Sequence, residues 1–303
     1  MTLWAFILIV ASAGLHATWN MIAKKERMTI GFYAILGSIG AIWSSWVRFV
    51  TPLAFFHMPL KFYLTLAGML AGELCYGFGL VFAYRKLDMS SAYPMMRSLP
   101  LVFIAVLTMS FRIGEPLTPC AMIGMAVVFV GCLLMPLKQF SDFKLKNYLN
   151  RGMFFIILVA CGTTLYTIFD KLSQNVMREA FPEVSKTLLS MTYYSFRAVT
   201  LSAMLWIVAL SIPTTRAEVA DMWRRRSWMP VLAGLCSSLT YVLVLMSMNF
   251  VTNVSYVQAF RQLGLPIGML EGFFILKEKC TLPKVVGIIF ILSGLALSVV
   301  KLG

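Results

Sequence analysis

The sequence predicts an all-α polytopic membrane protein whose ten transmembrane helices form two inverted five-helix repeats. Three observations predict it. The chain has 303 residues, of which 60% are apolar and 13% charged, with a mean hydropathy of +0.83, whereas a soluble domain is nearer half apolar and a quarter charged. Its apolar residues gather into runs of spanning length joined by short polar links. The second half also repeats the order of intramembrane residues found in the first.

Composition excludes an ordinary soluble enzyme and a disordered tail. It also excludes a porin-type barrel, whose strands alternate polar and apolar residues. The net charge of +14 comes from 26 Lys and Arg against 12 Asp and Glu. In a soluble protein that excess could point to nucleic acid. No basic cluster here sits on a soluble domain, and short membrane-protein loops carry such an excess to set orientation and meet anionic lipid. The expected partners are therefore a small-molecule substrate and the bilayer, with no nucleic acid, in a monomer or homodimer. The six cysteines (Cys75, Cys120, Cys132, Cys161, Cys236 and Cys280) form no C-x-x-C pair. Most lie in apolar segments, where Cys acts as a small hydrophobe, and neither a metal site nor a cofactor is expected.

Ten segments have the roughly 20 apolar residues needed to cross a bilayer: 3–22, 29–49, 61–84, 91–111, 118–137, 152–170, 187–212, 229–248, 254–275 and 282–300. The longest links are 138–151, 171–186 and 213–228, too short for a soluble domain. The first segment is read as a retained span: no basic residue precedes Ala11-Ser12-Ala13, and the apolar run continues to Ile22 before Lys24 and Lys25, unlike a signal peptide. Loops after odd-numbered spans carry 16 basic residues and the other side 7, which places both termini outside.

A shift of 164 pairs Ser91 with Ser255, Arg97 with Arg261, Leu99 with Leu263 and Leu101 with Leu265. A shift of 163 pairs Glu115 with Glu278, Thr118 with Thr281, Gly124 with Gly287, Gly131 with Gly294 and Leu134 with Leu297. The chain thus reads as two units, 1–138 and 151–303. Five spans per unit is odd, so the units enter the membrane from opposite faces, a transporter architecture with its site between the halves.

Gly-Glu-Pro-Leu-Thr at 114–118, followed by Gly124 and Gly131, is echoed by Lys-Glu-Lys-Cys-Thr at 277–281, followed by Gly287 and Gly294. With Leu15-His16-Ala17-Thr18-Trp19-Asn20 and Lys24 in the first span, and Asp170-Lys171 closing the sixth, the chain resembles the drug/metabolite transporter superfamily, EamA type. That resemblance covers nearly the whole chain. It implies a bundle around a central cavity, a bacterial inner-membrane location, and secondary transport by export or exchange of amino acids or other metabolites, phosphorylated sugars among them. It also implies both termini inside, against the charge count. The opening His-Ala-Thr-Trp-Asn run is similar to a phosphonate-associated branch.

Arg at a helix centre costs about 2.5–3.5 kcal/mol on the insertion scale, so Arg97, Arg197 and Arg261 should face a partner or an aqueous cavity. Arg97 and Arg261 approach the midplane from opposite sides and could hold a carboxylate or phosphate, or serve as braces or gates paired with Glu73 or Glu271. Pro94 and Pro100 beside Arg97, and Gly264 and Pro266 beside Arg261, weaken their helices. His16 and Asn20 share a face of the first span and could bind substrate or bond a neighbouring helix, and His16 could carry a proton. Glu73 and Tyr76 share a face of the third, where Glu73 could be a proton-coupling carboxylate or an arginine's counter-ion. Tyr93, Tyr166, Tyr194, Tyr241 and Gln258 complete the candidate substrate-binding set, each equally open to a packing role. Glu115 and Glu278, at span junctions, are expected to cap helices or pair with basic residues.

Zwitterionic or anionic metabolites are the expected substrates, with a lipid-linked head group as the alternative. An intramembrane enzyme would need an activated nucleophile or a metal cluster. The chain has only His16 and His57 and neither a G-x-S-x-G nor an H-E-x-x-H motif, so no catalytic residue is expected.

Overall fold

The computed structural model describes residues 2–26, 29–86, 89–135, 137–144, 152–225, 228–276 and 280–299, and among them there are helices and no strands. In chain order they are α1 (Leu3–Glu26), α2 (Ile30–Ser44), α3 (Val47–Val50), α4 (Leu60–Lys86), α5 (Met89–Ser110), α6 (Pro119–Leu134) and α7 (Met153–Ala180). There follow α8 (Lys186–Ser211), α9 (Pro213–Arg225), α10 (Met229–Ser247), α11 (Val254–Phe260), α12 (Gly264–Leu276) and α13 (Leu282–Val299). Five stretches have the length and composition of membrane spans: Leu3–Ala23, Ile30–Val50, Met153–Ala180, Lys186–Ser211 and Met229–Phe250. Shorter apolar helices run over Met96–Ser110, Pro119–Leu134 and Leu282–Ser298. The chain is an integral, multi-pass helical membrane protein.

Local chemistry sets the helix starts. The hydroxyls of Thr29, Thr118 and Ser185 accept from the backbone N–H three residues on, at 3.1, 3.1 and 3.3 Å, satisfying donors that a helix leaves orphaned. Pro119 occupies the first turn of α6, where its missing N–H costs nothing.

Two expected links are largely helix. The sixth span does not end at Asp170: α7 continues to Ala180. Its polar residues read as loop, yet they find buried partners. Lys171 Nζ donates to Met248 O at 2.6 Å, Ser173 to Thr65 at 2.8 Å, and Ser190 to Gln174 Oε1 at 2.7 Å. The 213–228 link forms the polar helix α9.

The helices pair across the chain. α4 lies along α7, α6 along α13, α1 along α10, and α2 along α8. Glycines make two of these seams close. A Cβ at Gly131 would stand 2.7 Å from Gly287 O, and one at Gly72 would stand 2.7 Å from Tyr166 N. Such contacts let helix backbones approach in a membrane without a hydrophobic driving force.

The link from α5 to α6 clasps the segment before α11. Gly114 has φ +87°, and the Glu115 N–H donates to Thr252 O at 3.2 Å. Asn253 Nδ2 returns a bond to Glu115 O at 2.9 Å. Glu115 thus works through its backbone, with its side chain exposed, instead of as the expected cap or ion-pair partner. Glu278 lies outside the described residues.

Candidate substrate-binding site

A cavity of about 80 Å³ lies between α1, α2, α4, α7, α8 and α10. A second chamber of about 40 Å³ adjoins it, and His16, Tyr76, Tyr166 and Arg261 line both. Glu73, Arg197 and Tyr241 line the larger chamber only. Asn20, Arg97 and Gln258 line the smaller one only. Eleven of the twelve expected site residues therefore line one or other of these adjoining chambers. The Tyr93 side chain lies outside the described ones. Tyr194 borders the larger chamber as well.

The two chambers differ in charge. In the larger, Arg197 on α8 bonds Glu73 on α4 through Nη2, and its Nε makes an ion pair with Asp170 Oδ1 on α7 at 3.4 Å. Asp170 is fully buried. Tyr193 donates to its Oδ1 at 2.5 Å and Tyr241 to its Oδ2. Tyr33 donates to Glu73 Oε2 at 3.1 Å. The Arg197 guanidinium carbon also lies 3.9 Å from the Tyr241 ring centroid, a cation–π contact that low dielectric strengthens. Arg197 is therefore neutralised by protein groups, and Glu73 is its counter-ion.

In the smaller chamber the arginines meet each other instead. The helix holding Arg261 breaks into a 3-10 turn over Arg261–Leu263, just ahead of Pro266, which supplies no N–H. The Arg261 carbonyl accepts from Arg97 Nη2 at 2.9 Å, and Gln262 Nε2 donates to Arg97 O at 2.9 Å. By contrast α5 runs unbroken through Pro94 and Pro100. Among the described residues no carboxylate lies within ion-pair distance of Arg97 or Arg261, and Glu73 is engaged by Arg197. The Glu271 side chain lies outside the described ones. Arg97 Nε and Gln258 Oε1 are buried without a hydrogen-bond partner. Asn20 Nδ2 bonds its own helix at His16 O, 2.7 Å away, which leaves its side-chain oxygen for the chamber.

Sequence reasoning missed Asp170, Tyr33 and Trp19 as parts of this site. In sequence Asp170 reads as a helix end, although an Asp following an apolar run is itself a signal of an internal partner.

A family model described as a sugar transport protein matches residues 35–301. The chain belongs to the sugar transport protein family. A solved structure described only as a crystal structure of a protein aligns with a TM-score of 0.68 at 14% identity, covering 97% of this chain and 96% of that one. This likeness establishes the fold. No curated protein matches the chain. Among the described residues of this sugar transport family member, no cluster of His, Cys, Asp and Glu could hold a metal. The family is one of membrane transporters.

Proposed function

We propose that this family member is a secondary transporter, of the EamA type within the drug/metabolite superfamily, that exports or exchanges a small anionic or zwitterionic metabolite by alternating access. Amino acids, sugar acids and sugar phosphates are the chemical range. The observation that carries this reading is the pair Arg97 and Arg261, two guanidiniums facing one chamber with no described carboxylate to balance them. A buried cation without a counter-ion is costly, and a substrate's acid group would offset that cost. Gln258 Oε1, Asn20 and the ring faces of Tyr76 and Tyr166 offer sites for hydroxyl or ammonium groups. Two inverted units, 1–138 and 151–303 in ten spans, would supply two related conformations around this site.

A second reading rests on a specific feature. A slot of about 20 Å³ between Ile30, Leu74, Phe78, Leu205 and Val208 reaches Tyr33 and Glu73 at the cavity wall. An apolar slot beside a polar cavity suits a lipid-linked head group.

The deciding experiment is counterflow in proteoliposomes with a panel of amino acids, sugars, sugar phosphates and phosphonates, comparing wild type with Arg97→Gln and Arg261→Gln. Saturable exchange of acidic solutes, lost in both variants, supports the first reading. Exchange of neutral sugars alone, untouched by either substitution, overturns it. Absence of all solute flux with scrambling of a lipid-linked probe favours the second.

A further inference from the structure

His16 stands between two groups that can only donate. The Trp19 indole N–H points to Nδ1 at 3.1 Å, with the rings edge to face at 5.2 Å between centroids. On the other side Arg97 Nη1 lies 3.0 Å from Nε2. Neither an indole N–H nor a guanidinium has an acceptor to offer, and a neutral imidazole has a single acceptor nitrogen. The three groups therefore hold one donor more than they can receive.

The surroundings decide which contact is the hydrogen bond. Trp19 is buried against Ile22, Ala23, Phe32 and Leu36, and its indole proton has His16 Nδ1 as its described acceptor. Arg97 has a second outlet, through Nη2 to the Arg261 carbonyl. Leaving a buried N–H unpaired costs about 1–3 kcal/mol, so the Nδ1 lone pair goes to Trp19. The imidazole proton is then on Nε2, beside Arg97 Nη1. Two donors 3.0 Å apart leave a place where one oxygen can sit about 2.9 Å from both.

We infer that Trp19 fixes His16 as its Nε2–H tautomer, so that His16 and Arg97 together donate to one oxyanion oxygen of the bound solute. Trp19 is a positioning residue: it acts on the solute through His16. Within the reading that Arg97 and Arg261 receive an acid group, which this inference rests on, His16 is a third donor to that group and not a proton carrier. The ligand class is an oxyanion head: phosphonate, phosphate or carboxylate.

The test uses the fact that the chain has two histidines. His57 lies exposed in the 3-10 turn Phe55–His57, so the His57→Asn protein reports His16 alone. Histidine-15N-labelled protein in nanodiscs, read by long-range 1H–15N correlation, should show one protonated nitrogen at Nε2. Methylphosphonate should move that proton downfield. In Trp19→Phe, which keeps a ring but loses the N–H, the proton should shift to Nδ1 as Nε2 accepts from Arg97. The KM for an acidic solute should then rise about tenfold, the worth of a charge-assisted hydrogen bond, with kcat little changed. An Nδ1–H tautomer or an imidazolium in the wild-type background overturns the inference, as does an unchanged tautomer in Trp19→Phe. A correct tautomer that neither methylphosphonate nor acetate perturbs overturns its oxyanion half. If Trp19→Phe does not fold, the wild-type tautomer and its response to methylphosphonate decide. None of the spectroscopic readouts needs flux, so loss of the transport reading shows separately, as absent counterflow.

Discussion

Replacing Arg197 by Gln tests whether the three intramembrane arginines divide into one brace and two ligands. Arg197, Glu73 and Asp170 have side chains 5%, 5% and 0% exposed. Arg197→Gln removes the described cation within ion-pair distance of both carboxylates. Orphaning one partner of a buried pair costs about 3–5 kcal/mol. Two carboxylates are orphaned here, which pushes the cost up. Tyr193 and Tyr241 on Asp170, and Tyr33 on Glu73, remain as donors, which pulls it down. About 3–4 kcal/mol results, a drop of several hundredfold in the folded-to-unfolded ratio at 1.4 kcal/mol per tenfold. Glu73→Gln alone leaves Arg197 with Asp170, one charge against one, and should cost about 1–2 kcal/mol as a lost charged hydrogen bond. The double variant Glu73→Gln/Arg197→Gln should fall between the two, because it orphans one carboxylate, not two. Arg97→Gln orphans no described carboxylate; it gives up the bond to the Arg261 carbonyl but also removes a buried cation without a counter-ion, and should cost less than Arg197→Gln. The assay is thermal and denaturant unfolding of the detergent-solubilised protein followed by size-exclusion recovery. A stable Arg197→Gln protein, or an Arg97→Gln protein equally damaged, would refute the division.

Other substitutions probe the same framework. Gly131→Ala places a Cβ 2.7 Å from Gly287 O and 2.9 Å from Ile291 N; the α6–α13 seam must part, costing about 1–3 kcal/mol, read as a lowered unfolding midpoint. Tyr241→Phe removes the hydroxyl that donates to Asp170 but keeps the ring over Arg197. It should cost about 1.5–3 kcal/mol, with a larger loss for Tyr241→Ala, where the ring contact goes as well.

Much of the cavity was legible because a polar residue in an apolar run has few reasons to be there. Arg97, Arg261, His16, Tyr76 and Gln258 announce themselves in that way, and all line the smaller chamber. The partner of each charge was not legible. In sequence Arg97 and Arg197 are alike, each an arginine inside a span. Only packing α4, α7 and α8 together reveals that both described carboxylates of the site went to Arg197. Asp170 reads as a helix end for a related reason. Lys171, Gln174 and Arg178 make the stretch after it look like a loop, whereas Met248 O, Ser190 and Asn175 satisfy their polar groups within the bundle. Polarity in sequence records that a group needs partners, not whether water or protein supplies them.

The contacts themselves bear on the reading of two related units. Under the 163-residue shift Gly124 corresponds to Gly287 and Gly131 to Gly294. In the structure Gly124 faces Gly294 and Gly131 faces Gly287, the reciprocal pattern expected across a two-fold axis. Ser38 and Ser202, 164 apart, approach to 3.3 Å between hydroxyls, and Arg97 bonds the Arg261 backbone at the same separation. Tyr33 and Arg197, also 164 apart, both donate to Glu73, while the position 164 after Glu73 is the neutral Ser237. The pairing supports equivalence of position, and the side chains at equivalent positions differ in charge. If the two units are so related, the site would be symmetric in scaffold and polar in chemistry. A disulfide between Ser38→Cys and Ser202→Cys, in a background without the six native cysteines, tests the scaffold half of this argument. Residues beside an axis move least when one unit rocks against the other. The bond should therefore form under mild oxidation, hold the halves together after proteolysis within 138–151, and spare solute counterflow. Failure to crosslink would separate α2 from α8 and refute the two-fold reading. Crosslinking that abolishes counterflow would place the moving seam at α2–α8 and not at the surrounding helices.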